Sequence, residues 1–204
     1  MKRAGLFLLV AIAIAMFSAN ALAVEISYAG DQSYYFVTYY SNNVSGAPDA
    51  TLRFINDGSG FSEPDPPGAI ALAADIYVFD DSQELVACGS CWISPDGLLS
   101  EDVKTELTNN PITGRVPTRG VIKVLADPFG EPTSPSVTWG LHGWATHIER
   151  ATPTSGAYAT TEAPVADSNL TEGEDYLLGN LCYFAGLLGS GQGTITCTPE
   201  DHDF

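Results

Sequence analysis

Ala69-Ile-Ala-Leu-Ala-Ala-Asp-Ile-Tyr-Val-Phe79 is apolar at consecutive positions apart from Asp75, not at alternate ones. A strand with one wet face alternates, whereas a strand covered on both faces reads as a continuous apolar run. Asp80-Asp-Ser82 breaks the run, and Leu85 to Ile93 reads as the strand that returns beside it. The stretch therefore predicts a central strand, buried on both sides, in a mostly β protein.

The flanks extend this reading. Residues 33–41, Ser-Tyr-Tyr-Phe-Val-Thr-Tyr-Tyr-Ser, are aromatic and β-branched, which suits a pleated surface. Thr51 to Ile55 alternates, with Leu52 and Phe54 on one face, and Asn56-Asp-Gly58 turns the chain. Phe61-Ser-Glu-Pro-Asp-Pro-Pro67 is a connector or an edge, because proline cannot donate to a ladder. Downstream, Ser94-Pro-Asp-Gly97 predicts a type I turn. Leu98 to Leu107 fits neither the helical nor the strand period, and Asn109-Asn-Pro111 ends it. Segments 120–126, 137–148 and 157–163 complete the strands. Short strands, frequent turns and no alternating helices predict an Ig-like or related antiparallel β-sandwich.

One helix is expected, over about 171–188. Thr171-Glu-Gly-Glu174 matches a capping box, in which the Thr hydroxyl and the Glu carboxylate each satisfy a free backbone N–H. Leu177, Leu181, Phe184 and Leu188 recur at helical spacing, with Leu178, Cys182 and Ala185 beside them, and Gly189 follows as a stop. Gly173, Gly179 and Gly186 each weaken the helix by about 1 kcal/mol against Ala, so it must pack on the sheet. The stripe through Leu181 is the expected packing face.

Residues 1–23 read as a secretory signal peptide. Lys2 and Arg3 precede an apolar run from Ala4 to Phe17, and Ala21-Leu-Ala23 supplies small residues for cleavage before Val24. The run is shorter than the roughly 20 residues a membrane span needs. Residues 24–204 are then a single secreted domain. The chain has 25 acidic against 8 basic residues and a net charge of −17, and losing Lys2 and Arg3 takes it to −19. Such a surface repels phosphate backbones and argues against nucleic acid. Neutral glycans, proteins or cations are the partners left, and solubility alone also accounts for the charge.

Cys88, Cys91, Cys182 and Cys197 are even in number, and in an exported chain they are expected to form disulfides. Proximity favours Cys88–Cys91 with Cys182–Cys197. The short ring is strained, so crossed pairings stay open. Cys88-Gly-Ser-Cys91 runs into a turn, not a helix N-terminus, which disfavours thiol exchange. The spacing of the second pair disfavours zinc. Asn43-Val-Ser45 and Asn169-Leu-Thr171 are glycosylation sequons, relevant only in a host that glycosylates.

Trp139-Gly-Leu-His-Gly-Trp-Ala-Thr-His-Ile-Glu149 holds the other candidates. On a strand His142 and His147 point to opposite faces, while His147 and Glu149 share one and could pair. Trp139 and Trp144 also fall on opposite faces, one for the core and the other as a sugar-stacking platform. Tyr34, Tyr35, Tyr39 and Tyr40 pose the same question, with Tyr35 and Tyr39 as outward candidates for ligand contact. Asp57, Asp80, Asp81 and Glu84 could offer oxygens to calcium, though the EF-hand pattern is absent. No cofactor motif and no Gly-Xaa-Ser-Xaa-Gly elbow is present.

Several segments together resemble a group of short exported bacterial proteins of unknown function. They are Ile76-Tyr-Val-Phe-Asp80, Gln83-Glu-Leu85, Cys88 with Cys91, Ser94-Pro-Asp-Gly-Leu98 and Leu107-Thr-Asn-Asn-Pro111. Trp144-Ala-Thr-His147 and Ala166-Asp-Ser-Asn-Leu170, ahead of the terminal helix, are similar too. The resemblance covers most of residues 50–197, and it implies export without implying an activity. Members carry further cysteines where this chain has Ala73 and Ala74. The expected function is a non-catalytic extracellular binding or structural domain for a neutral glycan or a surface protein. The contrasting expectation is a secreted hydrolase using His147 and Glu149.

Overall fold

The computed structural model describes residues 34–41, 44–62, 68–108, 116–150, 157–187, 193–195 and 197. The expected signal peptide, the Asn43 sequon, Leu188 and the Gly189 stop lie outside the described residues.

Eleven strands and one α-helix are described. In chain order the strands are β1 (Tyr35–Ser41), β2 (Thr51–Asn56), β3 (Phe61–Ser62), β4 (Gly68–Ala69), β5 (Leu72–Asp80), β6 (Leu85–Ile93), β7 (Leu98–Asp102), β8 (Arg119–Asp127), β9 (Leu141–Arg150), β10 (Tyr158–Pro164) and β11 (Ala166–Asp167). The helix α1 is Glu172–Leu187. The larger sheet has the order β11-β1-β8-β5-β6, the smaller β10-β9-β2-β7, and β3 pairs with β4. Their ladders are antiparallel. The expected β-sandwich is present; an immunoglobulin-type strand order is not established by it.

Side-chain alternation sorts the core into two layers. Leu72, Ala74, Ile76 and Val78 of β5 join Phe36, Ile122 and Val124 on the inner face of the large sheet. They meet Leu52 and Phe54 of β2, Leu99 of β7, and Leu141 and Ala145 of β9. The opposite face of the large sheet carries Tyr35, Tyr77, Phe79 and Leu125, which pack with Leu178 and Cys182 of α1. The nine residues of β5 are thus all buried. The continuous apolar run has its physical cause here: a sheet covers one side and a helix layer the other.

Leu98 to Leu107 fits no single period because it is two structures. The strand β7 ends at Asp102, and Val103–Leu107 forms a π-helical turn that buries Val103 and Leu107. The turn at Ser94-Pro-Asp-Gly97 is where it was expected, with Gly97 N–H donating to Ser94 O at 2.9 Å. Its type is corrected, since Asp96 at the third position has φ +61°, which belongs to type II.

The favoured disulfide pairing is also corrected. The bonds are Cys88–Cys182 and Cys91–Cys197, with Cα separations of 5.8 and 5.6 Å. Three residues along a strand span about 10 Å and put the side chains on opposite faces. A disulfide needs Cα atoms within about 7 Å. Cys88 therefore faces α1, and Cys91 faces the sandwich core. Beyond α1 the tail returns to the free edge of β6. Cys88 N–H donates to Gly193 O at 2.5 Å, and Ile195 N–H to Cys88 O at 2.8 Å, as a short parallel bridge.

The packing face of α1 differs from expectation too. Leu178, Gly179 and Cys182 are the buried residues, with Leu181 and Ala185 partly buried beside them. Leu177 and Phe184, expected inside, are 47% and 59% exposed. The seat is narrow: a Cβ on Gly179 would stand 2.9 Å from Thr133 O. The size limit is local to Gly179, while Leu178 and Cys182 on the same face fill the seat. Half of the capping box forms. Glu174 N–H donates to Thr171 Oγ1 at 3.2 Å, while the Glu174 carboxylate reaches Lys123 of β8.

Candidate functional site

The sequence candidates meet at one rim of the sandwich, where β1 and β9 approach each other. His147 and Glu149 lie two apart on β9 and both engage Tyr39 of β1. The His147 ring stacks on Tyr39 with centroids 4.0 Å apart and planes 15° apart. Its Nε2 lies 3.0 Å from Tyr39 O, and Thr38 Oγ1 is 3.4 Å away. A carbonyl only accepts, so Nε2 holds the proton and donates it. The Tyr39 hydroxyl donates to Glu149 Oε1 at 3.0 Å. Burial first, and then the Glu149 bond, hold the Tyr39 phenol above its ordinary pKa.

This arrangement is a clamp between sheets. His147 is 4% exposed, and with Nε2 donating to the carbonyl the neutral ring has its lone pair on Nδ1. The Thr38 hydroxyl itself donates to Tyr39 O at 3.2 Å. The expected His147–Glu149 pair is thus bridged by Tyr39, which joins the two sheets at this rim.

The remaining candidates are dispersed. Tyr35 is 4% exposed beneath α1, where its hydroxyl donates to Glu174 Oε1 at 3.3 Å and burial pushes its pKa up. Tyr40 is buried in the sandwich core. Trp144 is half-buried on the outer face of the smaller sheet, opposite Arg53 of β2 and Pro164 of β10. Trp139 precedes β9 and is 49% exposed, its indole donating to Ser59 O, so neither tryptophan is a fully buried core residue. The carboxylates considered for calcium have protein partners. Asp57 accepts from Ser59 N–H and meets His142 Nε2 at 2.8 Å. Asp80 closes its own turn onto Ser82 and Glu84, and Asp81 pairs with Arg119.

Leu177 and Phe184, which periodicity assigned to the core, belong instead to an exposed apolar row on α1. Tyr176, Leu177, Tyr183, Phe184 and Leu187 are 47–74% exposed along α1. They recur at i, i+1, i+7, i+8 and i+11, which is one helical face. The signal was legible as apolar periodicity; what it lacked was any indication of which of two apolar faces would meet the sheet.

No protein-family model matches the chain, nor does any curated protein or any solved structure. Function is therefore argued from the chemistry of its own residues. All four cysteines are in disulfides, and among the described residues no helix is long and apolar enough to cross a membrane. Both facts are compatible with an extracytoplasmic protein.

Proposed function

We propose that the chain is a secreted, non-catalytic binding domain whose contact face is the outer stripe of α1 and whose partner is a protein. The observation that carries this reading is the row of five large apolar side chains left in solvent on a chain of net charge −17. Contiguous exposed apolar surface on a soluble domain marks interaction sites. Leu177 and Leu187 favour a protein over a glycan, because sugar stacking uses aromatic faces beside hydrogen-bonding groups, and aliphatic side chains offer neither. Glu172, one turn before Tyr176 on the helix, is an exposed acid beside the stripe, which suits a partner with an apolar face and a cationic rim. The burial of His147 favours the binding reading over the hydrolase one, since a general base must be reached by substrate.

The test uses two immobilised panels: basic amphipathic helical peptides and neutral glycans. Salt-sensitive binding to peptides, lost in Leu177→Glu/Phe184→Glu, is the expected result. Binding confined to glycans and lost in Trp144→Ala overturns it and moves the site to the smaller sheet.

A further inference from the structure

The outward face of the large sheet hides a second polar feature, under α1 and the loop after β8. Asp75, in the middle of β5, is fully buried. Ser90 of β6 donates to its Oδ1, and its Oδ2 is buried with no hydrogen-bond partner. Asp127, at the end of β8, is fully buried as well. The register sets Ala73 opposite Asp127 and Asp75 opposite Leu125, so the two buried acids are diagonal neighbours on one face, close enough for Asp127 to raise the Asp75 pKa. Asp127 in turn holds the loop. Its Oδ1 accepts from Phe129 N–H at 2.8 Å and its Oδ2 from Glu131 N–H at 3.1 Å.

Two ionised carboxylates cannot hydrogen-bond to each other, because both only accept; one proton turns one of them into a donor. We propose that Asp75 and Asp127 hold a single proton between them, and that the resulting O–H···O bond is an alkali-released latch fastening loop 128–135 and the start of α1 to the large sheet.

The surrounding charges support a proton rather than a charge partner. From β5 the other titratable group on the same face is Tyr77, whose hydroxyl donates to Pro132 O at 2.8 Å, Asp80 lying at the strand's end on the opposite face. From β6 the facing groups are Ser90 and the disulfide-bonded Cys88. Lys123 of β8 is paired with Glu174 of α1, which also accepts from Tyr35 of β1. Glu131 of the loop raises the Asp75 pKa through its charge. Asp175 of α1 has a buried Oδ1 without a hydrogen-bond partner, and burial raises its own pKa. Burial is the largest influence on Asp75. The Ser90 bond opposes it, Asp127 and Glu131 reinforce it, and the net result is about 8 against an ordinary 3.8.

The sign follows from linkage. Between those two values the unfolded chain has released a proton that the folded chain keeps, so stability falls as pH rises from about 4 to about 8. Above 8 the folded protein loses the proton too, and two buried anions face each other under the loop.

The experiment compares unfolding of wild type and Asp75→Asn from pH 4 to 9. Asparagine mimics the protonated acid: its carbonyl accepts from Ser90 and its amide donates to Asp127. The wild-type unfolding constant, relative to the variant's, is expected to grow by up to about tenfold per pH unit between 4 and 8. Amide exchange across 127–135, corrected for its intrinsic pH dependence, is expected to quicken above pH 8 in wild type alone. Parallel stability curves overturn the proposal. Should the variant not fold, wild type decides through its infrared spectrum. A protonated-carboxyl band present at pH 6–7 and lost by about pH 9 supports the latch, and its absence at pH 6–7 overturns it. Calcium chloride at neutral pH supplies a further arm. Stabilisation of wild type but not of Asp75→Asn assigns the pair to a divalent cation and overturns the shared proton.

Discussion

Cys88 and Cys91 lie three residues apart on β6, yet each ties a different part of the chain to it. Cys88 is bonded to Cys182 in α1, and Cys91 to Cys197 in the tail. A spacing that suggests one local redox pair is, on a strand, a pair of anchors on opposite faces.

The two bonds close segments with sequence separations of 94 and 106 residues. Chain entropy assigns loops of that length about 4–5 kcal/mol each. Replacing Cys91 and Cys197 together by serine is expected to cost an amount of that order while leaving Cys88–Cys182 intact. Urea unfolding gives the cost. Mass mapping of the unreduced variant digest gives the linkage, and a peptide joining Cys88 to anything but Cys182 refutes the pairing.

The helix has one inner and one outer leucine at adjacent positions. Leu178 is fully buried, so Leu178→Ala is expected to cost about 2–5 kcal/mol in lost burial and cavity. Leu177→Ala is expected to stay within about 0.5 kcal/mol, as surface substitutions do. Denaturant titration of the two variants separates them, and the reverse order places the helix on the sheet by its other face.

His147 is expected to matter for stability. His147→Ala removes a donor from Tyr39 O and a stacked ring, at a cost of about 1–3 kcal/mol. His147→Gln, which keeps an N–H, is expected to recover part of it. Calorimetry of the three proteins checks the order; equal melting temperatures would mean that the clamp holds nothing.

Asp57 supplies a pH test with the opposite sign to Asp75. Burial raises its pKa, but the bonds from Ser59 and the contact with His142 outweigh this and leave it lowered. A lowered carboxyl stabilises above its ordinary pKa of 3.8, and the contribution fades as pH falls through the folded value. Asp57→Asn is expected to cost under about 1 kcal/mol at pH 7, since the site is largely exposed, and nothing at pH 2. A difference that persists at pH 2 points to the turn backbone instead of the charge.

The strands were legible because burial leaves a local record. Leu72 to Phe79 is continuous where two layers cover it, while Ala69 and Ala71, read as part of the same run, are exposed ahead of it, and Leu52 and Phe54 alternate where one layer does. The helix start was legible from Thr171, because capping is a local hydrogen bond. What escaped depends on partners distant in sequence. The seat of α1 is set by Thr133 O beside Gly179, and nothing near residue 179 announces it. Asp75 was visible as the single acid within an apolar run, but its meaning required Asp127 in the next strand. Tyr35 and Tyr39 share a strand face, and only the reach of the helix decides that one is buried and the other exposed.

The tail that borders β6 imposes an order on synthesis. The hairpin of β5 and β6 emerges from the ribosome long before Cys182 and Cys197, the residues that fasten its two faces. At about 5–20 residues per second, the intervening chain takes on the order of 5–20 s to make. Through that interval the most apolar hairpin of the protein has an uncovered outer edge and two unpaired thiols. Neither native bond can form until Cys182 and Cys197 have been made.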